Sequence, residues 1–325
     1  MNMNHDDSAL SLTKRVHWNI TVPGEDAGLR LDQALPRHCA GLSRTQARKI
    51  IDIGGVHVAG RRVRSCSRSL KGGEEIAVYY DGLSLDPFAL SAAAILYRDA
   101  DIIALNKPAG IDTQPTPSRF QGTLYAALSE YLIDPFRRHI EPSIGMVQRL
   151  DRETSGVILF SISPRAHKPL TTAITNHTLR KSYLALVAGV VPPGVHEIKS
   201  LLARSHRDNC VRSISKGGKE AVTHYHCLAV CDTCSLVEVT PITGRMHQIR
   251  VHLSEAGFPL LGDTRYGGPG QLGELSISRH MLHAKQLEFL HPLTRQPLVI
   301  TAPLADDFQA LLNYFKLTDC QEVLC

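Results

Sequence analysis

The feature that most constrains this chain is a step in its charge. Between Leu29 and Lys71 stand Arg30, Arg37, Arg44, Arg48, Lys49, Arg61, Arg62, Arg64, Arg68 and Lys71, against only Asp32 and Asp52. Over the whole chain 36 Lys and Arg nearly balance 31 Asp and Glu, for a formal net charge of +5. The modest total therefore hides a small, strongly basic module, which suits a polyanionic partner.

The module's local grammar is readable. Ser43 is placed to cap a helix whose apolar face is Ala47, Ile50 and Ile51, and Gly54-Gly55 would stop it. Val56-His57-Val58 alternates as a short strand, Gly60 marks a turn, and Lys71-Gly72-Gly73 is another turn before a strand from Glu75 to Tyr79. Arg44 and Arg48 lie one helical turn apart and can face one phosphate backbone. With Lys49, Arg61 and Arg62 they are the candidate RNA-binding residues. An ordinary solvated charged face is the plainer alternative. Charge of this kind grips backbones without reading base sequence.

At 325 residues, with 43% hydrophobic and 21% charged residues, the chain can bury a sizeable core and has room for two domains. The start, MNMNHDDSALSLTKR, has no apolar stretch of the secretory kind, and nowhere do about eighteen apolar residues run together. Eight scattered cysteines fit a reducing compartment. The expectation is a cytoplasmic monomer without membrane association. It would comprise a tail over 1–16, a basic module over 17–82, a linker over 83–92 and a larger domain over 93–318.

In that larger domain, strands are predicted at Ala94–Tyr97, Asp101–Leu105, Gly156–Phe160, Ser182–Val187, Val222–Val230 and Ser235–Val239. Helices are predicted near 122–132 and 165–177. The irregular spacing and the lack of repeating βαβ units predict an α+β class: a mixed, largely antiparallel sheet preceded by a small α/β module.

The chemistry centres on Gln148-Arg149-Leu150-Asp151-Arg152-Glu153-Thr154-Ser155-Gly156. A carboxylate flanked by Arg149 and Arg152 is held in its charged form. Thr154, Ser155 and Gly156 suit a tight turn into the apolar strand Val157–Phe160. That is a good platform for nucleophilic chemistry. On charge pattern alone, a surface ion network is the simpler reading.

Further segments shift that balance. QRLDRETSG resembles the signature of the ribosomal-large-subunit (RluA-type) RNA pseudouridine synthases. ILYRDADIIALNKPAG at 95–110, Lys181-Ser182-Tyr183, Thr243-Gly244-Arg245-Met246-His247-Gln248-Ile249-Arg250, Gly262-Asp263, Tyr266-Gly267 and Met281-Leu282-His283-Ala284 match that family in order. SRTQARKIIDIGGVHVAG resembles the ribosomal S-four-type RNA-binding domain. The resemblance implies isomerisation of uridine in structured RNA. Ribosomal RNA would be the favoured substrate and transfer RNA the other option. It also implies roles: Asp151 as nucleophile or base at the target ribose, Tyr183 stacked on the target base and helping the proton leave carbon five, and Arg250 paired with Asp151. Arg149 would fill the space of the extruded nucleotide or hold its phosphate, and Leu282 would wall the base. Arg245, His247 and Gln248 are candidate substrate contacts. Nothing is oxidised and no group is imported, so the chemistry calls for no cofactor or metal.

Two positions depart from the family pattern: Gln148 replaces the usual His, and Met246 a small polar residue. Cys227-Leu228-Ala229-Val230-Cys231-Asp232-Thr233-Cys234, with His224 and His226 nearby, invites a metal reading. Its alternation predicts instead two strands joined by a hairpin tip at Asp232-Thr233. His247 and His252 could act as general bases but are expected to organise the Arg250 loop; Asp263 is expected to be structural and is a lesser site candidate. A glycosidase or nucleoside hydrolase would share the carboxylate chemistry but would want a second acid nearby and no basic module. A silent RNA-binding factor would keep the module without the Asp151 set.

Overall fold

The computed structural model describes residues 14–137, 139–205 and 210–317, so most of the expected tail lies outside the described residues. The chain forms two compact units. One comprises the residues through Leu90 together with Ile111–Glu141, the other Ser91–Gly110 together with the chain from Pro142 onward.

In the first unit, β1 (Val16–Thr21), β2 (Val56–Val58), β3 (Arg61–Arg62) and β4 (Glu75–Tyr80) form an antiparallel sheet in the order β1-β4-β2-β3. Helices α1 (Leu31–His38) and α2 (Arg44–Ile53) pack together. Ser43 caps α2 as a reciprocal box: its Oγ accepts from the Gln46 amide at 3.2 Å, and Gln46 Oε1 accepts from the Ser43 amide at 3.0 Å. Gly54, at φ 92°, ends the helix in the left-handed conformation that glycine tolerates. The apolar face is fully buried at Ala47, Ile50 and Ile51, so the module's core comes from the predicted spacing.

Residues 111–141 pack with this unit although they follow the first strands of the other in the chain. The Phe120 amide donates to the Ile53 carbonyl at 2.7 Å, and Arg119 forks onto Asp81 at 2.7 and 2.6 Å with both side chains buried. Helix α3 (Leu124–Leu132) starts where Thr123 Oγ1 accepts from the Ala126 amide.

The second unit is built on an eleven-stranded sheet among the described residues. Its strands are β5 (Ile95–Arg98), β6 (Ile102–Lys107), β7 (Gly145–Met146), β8 (Ser155–Ser161), β9 (Arg180–Ala188), β10 (Val195–Arg204), β11 (Val211–Ile214), β12 (Lys219–Val230), β13 (Cys234–Pro241), β16 (Leu282–Leu290) and β17 (Pro297–Thr301). The short pair β14 (Gln271–Leu272) and β15 (Leu275–Ser276) stands apart. Helices α4 (Pro164–Thr175), α5 (Gln248–Glu255) and α6 (Asp306–Tyr314) complete the unit. The main path runs β11-β10-β12-β13-β9-β16-β8-β6-β5, antiparallel except at β16 and β8. The α+β class and the mixed, mostly antiparallel sheet stand as expected. Among the described residues no helix is long and apolar enough to cross a membrane.

The parallel contact is short and decisive for the site. His283 faces Ser155 and Ala284 faces Gly156, so the end of the QRLDRETSG run is stitched to the strand that carries Leu282. Gly156 sits at φ 111°, and a Cβ there would lie 2.2 Å from the Ala284 carbonyl oxygen and 2.7 Å from its nitrogen. Backbone on both sides leaves nothing flexible to yield. Gly156→Ala is therefore expected to destabilise the protein by about 3 kcal/mol, read as a lower urea midpoint. A midpoint equal to that of the unsubstituted protein would show that the two strands can part freely.

Candidate active site

Asp151 sits on the loop leading into β8, with its side chain 28% exposed. Each of the next four residues is tied down. The Lys107 ammonium, fully buried, donates to the carbonyls of Pro108 at 2.7 Å and Arg152 at 2.9 Å. The Gly110 amide donates to the same Arg152 carbonyl at 2.9 Å. Arg279 Nη1 donates to the Glu153 carbonyl at 2.9 Å while its Nε and Nη2 fork onto Asp307. Thr154 Oγ1 hydrogen-bonds with His280 Nε2 and Ser155 Oγ with His283 Nδ1, both at 2.9 Å. A carboxylate on so well-held a loop is aimed before any substrate arrives.

Arg250, from the first turn of α5, reaches Asp151. Its Nη1 donates to Asp151 Oδ2 at 3.1 Å. Its Nε and Nη2 donate at 2.7 Å each to the two oxygens of Asp263, whose side chain is 2% exposed. The guanidinium also lies over the Tyr266 ring, 4.9 Å from the centroid. Tyr266 in turn hydrogen-bonds with His247 Nδ1 at 2.7 Å, and His247 Nε2 stands 3.8 Å from Asp151 Oδ2. His247 itself is left-handed, at φ 54°, immediately before α5. One cation is thus shared by two carboxylates, and the trio keeps a net negative charge facing the opening at Asp151.

The electrostatics follow from burial and neighbours. Burial pushes the Asp151 carboxyl up, but His247, Arg250 and His280 pull it further down, so it is held below the ordinary carboxylate range. Burial would lower Arg250, yet Asp263 and Asp151 raise it above its usual value and keep it charged. Tyr183, on β9, is buried, and burial together with the Asp151 charge raises its phenol well above the ordinary value. Its proton is firmly held.

Burial lowers His280 and His283, each to about 4. Both are therefore neutral at neutral pH, with folded values below the roughly 6.5 of an unfolded chain. Between those values the unfolded chain takes up protons that the folded one refuses. Stability contributed by each neutral histidine is present above about pH 6.5, is lost as pH falls through that window, and amounts to about 3 kcal/mol each at the acid end. Urea titrations at about pH 7 and about pH 4.5 should show this loss, and His280→Gln should reduce it. Equal pH slopes in the two proteins would contradict it.

The remaining expected residues divide. Arg149 is exposed and Leu282 is buried. Arg245 is exposed and donates to the Glu220 carbonyl at 2.8 Å. Gln248 is corrected: it is buried, and its amide makes four bonds within the protein. Its Oε1 accepts from Thr243 Oγ1 and the Arg245 amide, and its Nε2 donates to the Val222 carbonyl and Thr223 Oγ1. It shapes the 243–247 turn and has no donor left for a ligand. His252 is buried and bonds Thr223 and Ser200, so it ties its helix to the sheet. Met246 packs with Leu202, Val211, Ala221 and Val251, which accounts for an apolar residue there. Gln148 is buried with its Nε2 unpartnered among the described residues.

On the basic module, Arg44, Arg48, Lys49 and Arg61 are exposed. Arg44 also clamps the buried Asp32 at 3.0 Å, and Lys49 lies 3.5 Å from Asp86. Arg62 is corrected: its guanidinium donates to the carbonyls of Gly54 and Thr116 at 2.5 Å each, so it braces the module. Lys107, Tyr266, His280 and Arg279 were not anticipated as site residues. A lysine closing the otherwise apolar Ile102–Leu105 run was the available signal for Lys107. The others depend on contacts more than a hundred residues apart in sequence or on loop geometry.

Comparison with known proteins gives the family. The family model for RNA pseudouridylate synthases matches residues 101–255, and that for the S4 domain matches residues 29–76. An RNA pseudouridine synthase of Bacillus subtilis is 32% identical over 304 residues, covering 92% of this chain and 98% of the relative. The ribosomal large subunit pseudouridine synthase D of Neisseria meningitidis is 34% identical over 311 residues, covering 92% and 82%. The solved structure of human RNA pseudouridylate synthase domain containing 4 superposes with a TM-score of 0.58 at 25% identity, covering 69% of this chain and 93% of that one.

Proposed function

From the premise that this chain belongs to the RluA-type RNA pseudouridine synthases and carries an S4 RNA-binding domain, we propose that it modifies ribosomal RNA by attack of Asp151 at the ribose of an extruded uridine. The supporting observation is the shared cation. Arg250 is fully forked onto Asp263 and gives Asp151 only one bond, so Asp151 stays ionised, fixed and incompletely neutralised. A residual negative charge at that point complements the positive charge that develops on a ribose as its glycosidic bond breaks.

In this reading a uridine leaves its stack, at a cost of a few kcal/mol, which basic side chains gripping phosphates offset. An Asp151 oxygen bonds to the anomeric carbon as the bond to the base nitrogen breaks. The uracil turns against the Tyr183 ring and Leu282. Its carbon five bonds to the anomeric carbon as Asp151 leaves; the proton on carbon five is then lost while the ring nitrogen freed from the ribose gains one, which restores the ring with no net change in protons. Arg149 holds the displaced strand.

The ribosomal assignment draws on relatives named for the large subunit. The test is pseudouridine formation on deproteinised ribosomal RNA and on bulk transfer RNA from the same host. Modification of ribosomal RNA alone is expected; modification of transfer RNA alone would move the substrate while leaving the chemistry. For the module, charge reversal at exposed Arg48, Lys49 and Arg61 is preferable to a cut at residue 82, which would strip residues 111–141 of partners such as Ile53, Arg62 and Asp81. The reversals are expected to weaken RNA binding and flatten its salt dependence.

A further inference from the structure

Cys231 and Cys234 flank the hairpin tip between β12 and β13, and their sulfurs lie 2.8 Å apart. The Cys231 amide donates to the Cys234 carbonyl at 2.8 Å, so the two residues face each other across the ladder. Opposed residues of a hydrogen-bonded antiparallel pair have Cα atoms about 5.5 Å apart, inside the range that a disulfide spans. We infer that Cys231 and Cys234 form a reversible dithiol–disulfide pair, oxidised by hydroperoxides and reduced by low-molecular-weight thiols.

Three observations give the pair its direction. Cys234 is fully buried against Leu184, Leu236, Leu261 and Met281, whereas Cys231 is partly exposed at the tip. Burial raises the Cys231 thiol, but hydrogen bonds from Cys234 and Thr233 outweigh it and leave that thiol below its usual value. Burial raises Cys234. Cys231 is thus the attacking thiolate and Cys234 the resolving thiol. The Cys231 sulfur attacks one peroxide oxygen, giving a sulfenic acid and releasing water or an alcohol. The Cys234 sulfur then displaces the hydroxyl as a second water, and the two thiol protons leave with the oxygens. In the reverse direction two molecules of a thiol such as glutathione return both electrons and become a disulfide.

The third thiol of the 227–234 segment, Cys227, is turned away, with its Sγ near the carbonyls of Ala229 and Leu236. Among the described residues no group of three or more metal-ligating side chains converges, here or elsewhere. A bridge closing so short a loop restricts the unfolded chain little, so its role is exchange rather than stapling.

The test exposes the full-length native protein to hydrogen peroxide, blocks remaining thiols by alkylation under denaturing conditions, and maps the peptide carrying all three cysteines. The expected product is alkylated once, at Cys227, and is lighter by two hydrogens, with both changes reversed by glutathione. A peptide alkylated at all three positions, or a bridge to Cys227, overturns the inference. With Cys231→Ser, which alters the less buried partner, Cys234 is expected to remain a free thiol under the same treatment. With Cys234→Ser, Cys231 is expected to give a sulfenic acid captured by a dione probe. Preferential oxidation of Cys234 in the Cys231→Ser protein would reverse the assigned order and count against the inference.

Discussion

Asp151→Ala protein is expected to fold and bind RNA normally while losing pseudouridine formation by at least about a thousandfold, the scale seen when a nucleophile is removed. Stability should survive because Asp151 is partly exposed and contributes only one of the three Arg250 hydrogen bonds. Arg250 keeps its charge balanced by the fork to Asp263 at 2.7 Å. The loop keeps its ties at Arg152, Glu153, Thr154 and Ser155. Asp151→Asn separates charge from shape: the amide fits the same space but is neutral and a poor nucleophile. Single-turnover kinetics on a saturating RNA should show both variants defective in the chemical step with RNA affinity within a few-fold of the unsubstituted protein. A large loss of affinity with normal turnover would place Asp151 in binding instead.

Arg250→Met should be the most damaging single change for both stability and activity. It removes the guanidinium from Asp263, whose side chain is almost wholly buried, and from Asp151. An unpaired buried carboxylate costs about 3–5 kcal/mol when its partner alone is deleted. Arg250→Lys keeps the charge but cannot fork, so part of the stability should return without the activity. Urea midpoints, beside turnover, check both statements. If Arg250→Met matched the unsubstituted protein in stability, the shared-cation arrangement would be wrong.

Much of this was legible because local patterns and motif order carried it. The α2 cap at Ser43, its stop at Gly54 and its buried face at Ala47, Ile50 and Ile51 are set within a dozen residues, and such local chemistry survives in any context. The hairpin tip at Asp232-Thr233 follows from alternation in the strands on either side. The pairing of Asp151 with Arg250 was expected from the family resemblance alone, since nothing in their spacing implies contact across 99 positions. What stayed hidden was how donors are distributed. Arg62 and Gln248 read as free polar side chains but spend their hydrogen bonds on backbone and neighbours. Asp263 looked merely structural, yet it fixes the orientation of Arg250. The Lys107 tie to the Arg152 carbonyl joins segments 45 residues apart, and neither periodicity nor charge pattern records it.

The most direct measurement is a map of pseudouridine across all RNA of the host after deletion of the gene, with complementation by the unsubstituted and Asp151→Ala sequences. The proposal predicts loss of at least one ribosomal RNA pseudouridine, restored by the first and not by the second. No missing site, or restoration by Asp151→Ala, would contradict it.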